Sequence, residues 1–168
     1  MRILGVDPGS ITLGWGIVEG IGLRYQGVAF GTVKSAPKQP FSERLLKIYD
    51  DLSAVIERFE PDVLSVEEAF YAQNVKVALK LGQVRGAVLL LGEKSGLTIA
   101  EYSPRLIKKT VVGYGNADKE QVQEMVRILL KLKKKPQPHD AADALAIAIC
   151  HFHHSGISDK ISNAAQRS

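Results

Sequence analysis

Four acidic residues occupy positions where acidic side chains are unusual. Asp7 and Glu67 each end a short apolar run, and Asp140 and Asp143 lie three residues apart at the start of a segment rich in Ala, Leu and Ile. A spacing of three puts both side chains on one face of a helix. Because ligands of α/β sheets collect outside the carboxyl ends of the strands, we expect Asp7 and Glu67 to belong to one site.

The chemistry of such a site follows from electrostatics. Two carboxylates 4 Å apart repel by about 4 kcal/mol at an effective dielectric near 20, so a cluster of four must be neutralised by cations or by protons. Donor sets made only of oxygen suit Mg²⁺ or Mn²⁺ better than zinc. Two such ions about 4 Å apart are a common device for in-line displacement at a phosphodiester. We therefore predict two Mg²⁺ ions, for which Mn²⁺ can substitute.

The residues alone leave alternatives open. An Asp before Pro-Gly, as at Asp7, is often a turn residue, and Asp140 is also a plausible helix N-cap. Strand side chains alternate between faces, so Glu67 and Glu68 would point to opposite sides, and the pattern does not decide between them.

Strands and helices that could position these acids follow from periodicity and turn residues. Three strands linked by short turns come first, and the later strands alternate with helices. This order predicts an α/β fold with a mixed five-stranded sheet covered by helices on both faces. The predicted strands are residues 2–7, 11–18, 23–33, 62–68 and 97–102. The predicted helices are one capped by Ser42 and ending before Pro61, residues 74–93, a short helical turn opened by Ser103 and Pro104, one beginning at a capping box of Asp118 and Gln121, and residues 139–153.

Length and composition indicate one domain. The 168 residues have a mass of 18.3 kDa, with 45% apolar and 24% charged residues. We predict a single domain over residues 1–154 and a flexible tail over residues 155–168.

Cys150 is the only cysteine, which excludes an intramolecular disulfide and favours a reducing, cytoplasmic setting. The longest apolar stretch, residues 144–150, is too short to span a bilayer.

Charge is unevenly distributed. The net charge of the chain is +4, whereas residues 104–135 contain nine basic and three acidic residues, a net charge of +6. This segment therefore predicts affinity for a phosphate backbone. Its basic residues are Arg105, Lys108, Lys109, Lys119, Arg127, Lys131, Lys133, Lys134 and Lys135.

An ordered set of motifs resembles the RuvC family of Holliday junction resolvases, which are metal-dependent endonucleases with an RNase H-like fold. The resemblance covers residues 3–154. The motifs are Asp7-Pro8-Gly9-Ser10 with Gly14-Trp15-Gly16, Val66-Glu67-Glu68-Ala69-Phe70, Ala78-Leu79-Lys80-Leu81-Gly82-Gln83-Val84-Arg85-Gly86, Lys109-Thr110-Val111-Val112-Gly113 and Asp140-Ala141-Ala142-Asp143-Ala144-Leu145-Ala146.

The resemblance implies roles for individual residues. Asp7, Glu67, Asp140 and Asp143 would be the metal-binding catalytic acids, and the family pattern favours Glu67 over Glu68. Phe70 would insert at the junction centre, although an ordinary core aromatic fits the sequence equally well. Lys108 and Lys119 match lysines near the scissile phosphate, and Arg105 and Lys109 would be further DNA contacts; a solvated surface is an equally good interpretation of these basic residues.

The resemblance also implies partners. Such enzymes are homodimers that bind four-way junction DNA and can work with a branch-migration motor complex. Gly82 and Gly86 interrupt the second predicted helix, and their cost there suggests close approach of another backbone, as in a dimer.

The sequence departs from the family pattern at residues 132–136, where extra lysines occur. A helix C-terminus favours partly protonated imidazole, so we interpret His151, His153 and His154 in this way rather than as a zinc site.

The predicted function is that of a structure-selective endonuclease. It would resolve Holliday junctions in recombination and repair by paired nicks that leave 5′-phosphate products. One alternative takes residues 7–10 as the phosphate loop of an actin-like kinase or ATPase, but such enzymes close two lobes around the nucleotide and this chain is short for that. Another alternative is a non-catalytic module that binds branched DNA.

Overall fold

Strands dominate the first part of the chain and helices the second. The computed structural model describes residues 1–22, 24–68 and 74–165, the last ten of them without their side chains. The described residues form, in order, β1 (Arg2–Asp7), β2 (Thr12–Ile21), β3 (Arg24–Lys34), α1 (Phe41–Phe59), β4 (Val63–Glu67), α2 (Val75–Lys94), β5 (Thr98–Tyr102), α3 (Pro104–Val112), α4 (Lys119–Leu129) and α5 (His139–Ala165).

The strands form one mixed sheet in the order β3-β2-β1-β4-β5, which confirms the predicted fold class. β1, β2 and β3 pair antiparallel through short connections, whereas β4 and β5 join parallel to β1. Parallel pairing requires crossover connections, and α1 and α2 provide them. As a result, the carboxyl ends of β1 and β4 lie side by side.

Helices cover both faces of this sheet. α1 and α2 pack on one face, where Ile48 and Val88 contact the core around Leu4 and Val6. α3, α4 and α5 cover the other face. Most of the α5 side chains that the structure describes are buried. This helix lies directly on β1 because Gly5 has no side chain: a Cβ there would collide with the carbonyl oxygen of Ala144.

Local capping signals were informative. The Asp118 carboxylate accepts from the backbone N–H of Gln121, and the Gln121 side chain accepts from the backbone N–H of Asp118, so the capping box is confirmed. Ser103 caps α3 as predicted. The prediction for Ser42 was wrong, since α1 begins at Phe41 and Pro40 precedes it without a side-chain cap. The chain enters this helix in an extended conformation from a proline, which leaves no cap position for Ser42.

Two helices are longer than predicted. The segment opened by Ser103 and Pro104 is the nine-residue helix α3 rather than a short helical turn. α5 continues to Ala165, well past the predicted end at His153. The division into a domain of residues 1–154 and a flexible tail stays a prediction, because the structure does not describe the side chains of residues 156–168. No helix within the described ranges is both long and apolar enough to cross a membrane.

Candidate active site

Asp7 and Glu67 end neighbouring parallel strands. The register of β1 and β4 places Val6 opposite Val66, so the residue that follows each of them stands at the same edge of the sheet. Asp7 and Glu67 both line a pocket of about 80 Å³ at this edge. Glu67 is half-buried, whereas Glu68 is exposed at the rim of the same pocket.

The start of α5 brings the second pair of acids to this edge. Gly14 is the β2 partner of Asp7, and a Cβ on Gly14 would collide with the carbonyl oxygen of Asp140. The absence of a side chain at Gly14 thus lets α5 approach the end of β1. Asp140 lies inside α5, which begins at His139, so it does not act as the N-cap. Asp143 follows one turn later on the same helix face.

Electrostatics shows that the four carboxyl groups influence one another. Burial, followed by the charges of Asp143, Glu67 and Asp140, raises the pKa of Asp7 to about 7. Burial and the charge of Asp143 likewise raise the pKa of Glu67 to about 7. Burial also raises the pKa of Asp143, with a further contribution from Asp140. Carboxyl groups from β1, β4 and α5 therefore interact at one edge of the sheet.

Two lysines predicted from the sequence face these acids. Against the rise that burial causes, the Lys119 charge lowers the pKa of Asp7, Glu67 and Asp143. The Nζ atom of Lys119 lies 3.7 Å from Oδ2 of Asp143, and its side chain is 68% exposed, so the pair is accessible to a ligand. The Lys108 charge also lowers the pKa of Glu67.

The remaining predicted DNA contacts are not joined to the acids. Arg105 and Lys109 are exposed on α3, and within the described part of the chain neither side chain forms a hydrogen bond or ion pair with the four carboxyl groups. The aliphatic part of Arg105 packs beside Gly115. Phe70 lies outside the described residues.

The oxygen donors of Asp7, Glu67, Asp140 and Asp143 suit a hard divalent cation, although these side chains do not point at one common position. Within residues 1–22, 24–68 and 74–165, no group of three or more His, Cys, Asp or Glu side chains is arranged to hold a metal ion. The four candidates nevertheless offer only oxygen donors, and burial together with mutual repulsion disfavours their charged forms. A bound cation relieves that repulsion and inverts the direction of these pKa shifts.

Arg85 is a site residue that the sequence reasoning missed. Its Nε atom donates to the main-chain carbonyl oxygen of Glu67 at 3.3 Å, and its guanidinium forms an ion pair with Glu101 on β5. Arg85 also lines the pocket beside Asp7. The sequence could have indicated Arg85 through its position beside Val84, on the predicted buried face of this helix, because a basic residue there needs a partner.

Packing against the residues that the structure describes does not explain the two glycines of α2. A Cβ at Gly82 or Gly86 would meet no atom within 4 Å among the described residues, so the backbone approach expected there does not come from this part of the chain. Gly82 lies at the edge of the pocket that contains Asp7 and Glu67.

For His151 and His153, the prediction of partly protonated imidazole at a helix end was wrong. Because α5 continues to Ala165, His151 and His153 do not lie near its last turn. Burial lowers the pKa of both residues, which favours neutral imidazole. Nδ1 of His151 is 2.9 Å from the Tyr102 hydroxyl, and Nε2 of His153 is 2.8 Å from the Tyr25 hydroxyl.

The strand order and the acids at the edge of the sheet define the class of the protein as RNase H-like, with a site suited to metal-dependent nuclease chemistry. A family model described as "Crossover junction endodeoxyribonuclease RuvC" matches residues 3–151. The chain therefore belongs to the RuvC family of nucleases, which depend on divalent metal ions.

Individual relatives agree with this assignment. The chain is 51% identical over 152 residues to the RuvC crossover junction endodeoxyribonuclease of Magnetococcus marinus, covering 90% of this chain and 84% of the relative. It is 50% identical over 151 residues to that of Geobacter sulfurreducens, covering 90% and 92%. The structure of Thermus thermophilus RuvC in complex with a Holliday junction substrate matches with a TM-score of 0.88 and 37% identity, covering 94% and 96%. The yeast mitochondrial resolvase Ydc2, at 12% identity and a TM-score of 0.70, shares the fold.

Proposed function

We propose that this protein resolves four-way DNA junctions as a metal-dependent endodeoxyribonuclease in recombination and repair. The family assignment and the likeness to a RuvC structure bound to a Holliday junction support this function. The observation that carries it is the meeting of Asp7, Glu67 and the start of α5 at one edge of the sheet. The kinase or ATPase alternative finds no support in the comparisons.

Asp7, Glu67, Asp140 and Asp143 are the residues that would hold the metal. We assign them two Mg²⁺ ions, with Mn²⁺ as a substitute, because the donors are oxygens only. Asp7 and Glu67 end neighbouring strands, and the backbone of Asp140 approaches Gly14 beside Asp7. Binding of a shared cation would require the carboxylate side chains to turn toward one another. When bound, the ions would supply a nucleophilic water and neutralise the leaving oxygen.

Lys119 and Lys108 would act on the phosphate. Both lysines place positive charge next to the acids, where negative charge develops on the phosphodiester during hydrolysis. The 3.7 Å contact between Lys119 and Asp143 is loose and exposed, so the ammonium can turn toward a phosphate oxygen. A cation held there stabilises the transition state more than the free enzyme.

Further DNA contacts are assigned to Arg105, Lys109 and Phe70. Arg105 and Lys109 extend the basic surface of α3 beyond Lys108. Phe70 follows Glu67 by three residues, and stacking of an aromatic ring on an unpaired base contributes about 1–3 kcal/mol. These assignments rest on position in the chain and on the family resemblance.

A homodimer would place two such sites on one junction. α2 exposes Val75, Leu79 and Leu90, which are 70%, 64% and 64% accessible. Together with Gly82 and Gly86 they recur at spacings of three and four, so they form one helix face. An apolar face with two glycines fits a second copy of the same helix, and a two-fold dimer suits paired symmetric nicks in a two-fold junction. A motor complex that moves the junction is a further expected partner.

The test is a synthetic four-way junction incubated with Mg²⁺ or with EDTA. We expect paired nicks with 5′-phosphate ends in Mg²⁺ only, and no comparable cleavage of plain duplex. Asp7→Asn should keep junction binding, because it removes a negative charge, and should lose nicking. Binding without any nicking by the wild-type protein would instead indicate a non-catalytic junction-binding module.

A further inference from the structure

Residues 130–138 return alongside α4 toward the acids. Lys131, near their start, lines an open groove together with Met1 and Gly20, at the end of the sheet opposite Asp7. Lys135, near their end, contacts Glu120 in the first turn of α4. The segment therefore runs from the far end of the sheet to the candidate active site and carries lysines along its length.

The backbone of this segment is held in place. The N–H of Leu132 donates to the carbonyl oxygen of Arg127 at 2.9 Å. The side chain of Gln123, which is buried, donates through Nε2 to the carbonyl oxygen of Pro136 at 2.7 Å. Lys133 and Lys134 lie between these two anchors, so their backbone positions are fixed relative to α4.

Lys133 and Lys134, called here the lysine pair, differ from the lysine that follows them. Nζ of Lys135 is 3.3 Å from a carboxylate oxygen of Glu120 and 3.8 Å from one of Glu124, so its charge is compensated. Both members of the lysine pair are exposed, and in the described part of the chain neither side chain forms a hydrogen bond or an ion pair. Adjacent uncompensated cations favour a polyanionic ligand, which releases its own counterions on binding.

A chain of contacts connects the lysine pair to the candidate active site. Lys135 and His139 both reach the Glu120 carboxylate, at 3.3 Å and 3.6 Å. Lys119, the neighbour of Glu120, reaches Asp143. Duplex DNA carries one phosphate charge per about 1.7 Å of helix axis, so an arm that enters at Asp143 has several phosphates within reach of this surface.

We propose that the lysine pair binds the phosphate backbone of a duplex arm next to the cleavage point, without reading its sequence. This inference rests on the proposed function as a junction nuclease. Basic side chains on a fixed loop contribute phosphate contacts and orient the arm, whereas sequence reading requires contacts with base edges. The additional lysines at residues 132–136, which depart from the family pattern, thus extend the DNA-binding surface.

The salt dependence of binding tests this inference. We would measure the dissociation constant of a fluorescent four-way junction in EDTA between 50 and 200 mM KCl for the wild type and for K133Q/K134Q. Each phosphate contact contributes a slope of about 0.9 in log K against log salt, so the variant should lose roughly 1.8 from the slope. Over that range the wild type should then lose about tenfold more affinity than the variant. The same difference is expected with plain duplex of unrelated sequence.

Two further variants decide the interpretation. K47Q/R58Q removes the same charge from exposed positions of α1, on the opposite face of the sheet, and should keep the wild-type slope. K133R/K134R keeps the charge and should also keep the wild-type slope. The inference is wrong if K133Q/K134Q retains the wild-type slope of log K against log salt. It is also wrong if K47Q/R58Q lowers that slope as much as K133Q/K134Q does, or if K133R/K134R does not keep the wild-type slope. Nicking by the wild type in Mg²⁺ is measured separately, so failure of the lysine pair is distinguishable from failure of the proposed function.

Discussion

The guanidinium of Arg85 holds the backbone of Glu67 from the neighbouring helix, because its Nε atom donates to the Glu67 carbonyl oxygen at 3.3 Å. The same guanidinium pairs with Glu101 on the adjacent strand. The end of β4, which carries a candidate metal ligand, is thus fixed from α2 and from β5. Arg85 is in this sense a positioning residue.

We expect Arg85→Lys to slow junction nicking by about tenfold, the equivalent of roughly 1.4 kcal/mol in the barrier. A lysine has no planar fork, so it cannot serve the carbonyl and the carboxylate together. The apparent affinity for the junction should change by less than about twofold, since Arg85 acts through Glu67. Single-turnover kinetics separates the two quantities. Glu101→Gln leaves the hydrogen bond from Arg85 to Glu67 in place and should slow nicking less than Arg85→Lys does. Nicking by Arg85→Lys at the wild-type rate would contradict the positioning role of Arg85.

Asp7 should limit stability above neutral pH when no metal is present. Burial and the neighbouring carboxylates raise its pKa from 3.8 to about 7, so the folded state disfavours the charged form. The cost grows as pH rises from the unfolded value to the folded value and then levels off, at about 1.4 kcal/mol per pKa unit. In EDTA, the stability of Asp7→Asn relative to wild type should therefore rise by about 3 kcal/mol between pH 4.5 and pH 8.

Urea unfolding at the two pH values measures this gain. Asp50→Asn, at an exposed position on α1, controls for the introduction of asparagine. If Asp7→Asn changes the free energy of unfolding by the same amount at both pH values, the Asp7 carboxyl is not held in the buried, acidic environment described here.

Gly14 should be sensitive to the smallest substitution. A Cβ there would collide with the carbonyl oxygen of Asp140, whereas a Cβ at Gly27 would lie 3.3 Å from the end of the flexible Leu130 side chain. We expect Gly14→Ala to cost about 2–3 kcal/mol of stability, or to displace the start of α5 and reduce nicking. Gly27→Ala should cost less than about 1 kcal/mol. Equal tolerance of both substitutions in thermal unfolding and nicking assays would contradict the close packing of α5 on β2.

The exposed face of α2 can be tested through oligomeric state. We expect Leu79→Glu to shift a dimer toward monomer, because it places a charge on the apolar face that is proposed to pair with a second copy. Leu46→Glu, on α1, is the matched control, since Leu46 is 60% exposed but lies on a different helix. Sedimentation velocity gives the mass of each variant. A dimer that survives Leu79→Glu, or a wild-type protein that is monomeric at micromolar concentration, would exclude this interface.

Features with a local cause could be predicted from the sequence. The ends of β1 and β4 follow from short apolar runs, and the capping box at Asp118 and the cap at Ser103 depend on residues within one turn. Because parallel strands end at one edge, the placement of Asp7 beside Glu67 followed from the predicted sheet.

Features that depend on tertiary packing could not be predicted in this way. The partners of Arg85 are a backbone carbonyl 18 residues away and a carboxylate on another strand. The hydrogen-bond partner of His151 is a tyrosine 49 residues away, and α5 continues beyond the end that the sequence predicted. The open surroundings of Gly82 and Gly86 likewise became visible only when the packing of α2 was known.

The most direct test of the account is the anomalous-scattering map of crystals soaked in Mn²⁺. We predict metal peaks within roughly 2.0–2.2 Å of carboxylate oxygens of Asp7, Glu67 and the Asp140–Asp143 face of α5, and loss of those peaks in Asp7→Asn. A map with no peak among these four residues, or with its peaks on another part of the surface, would contradict the central claim that they form one metal-binding site.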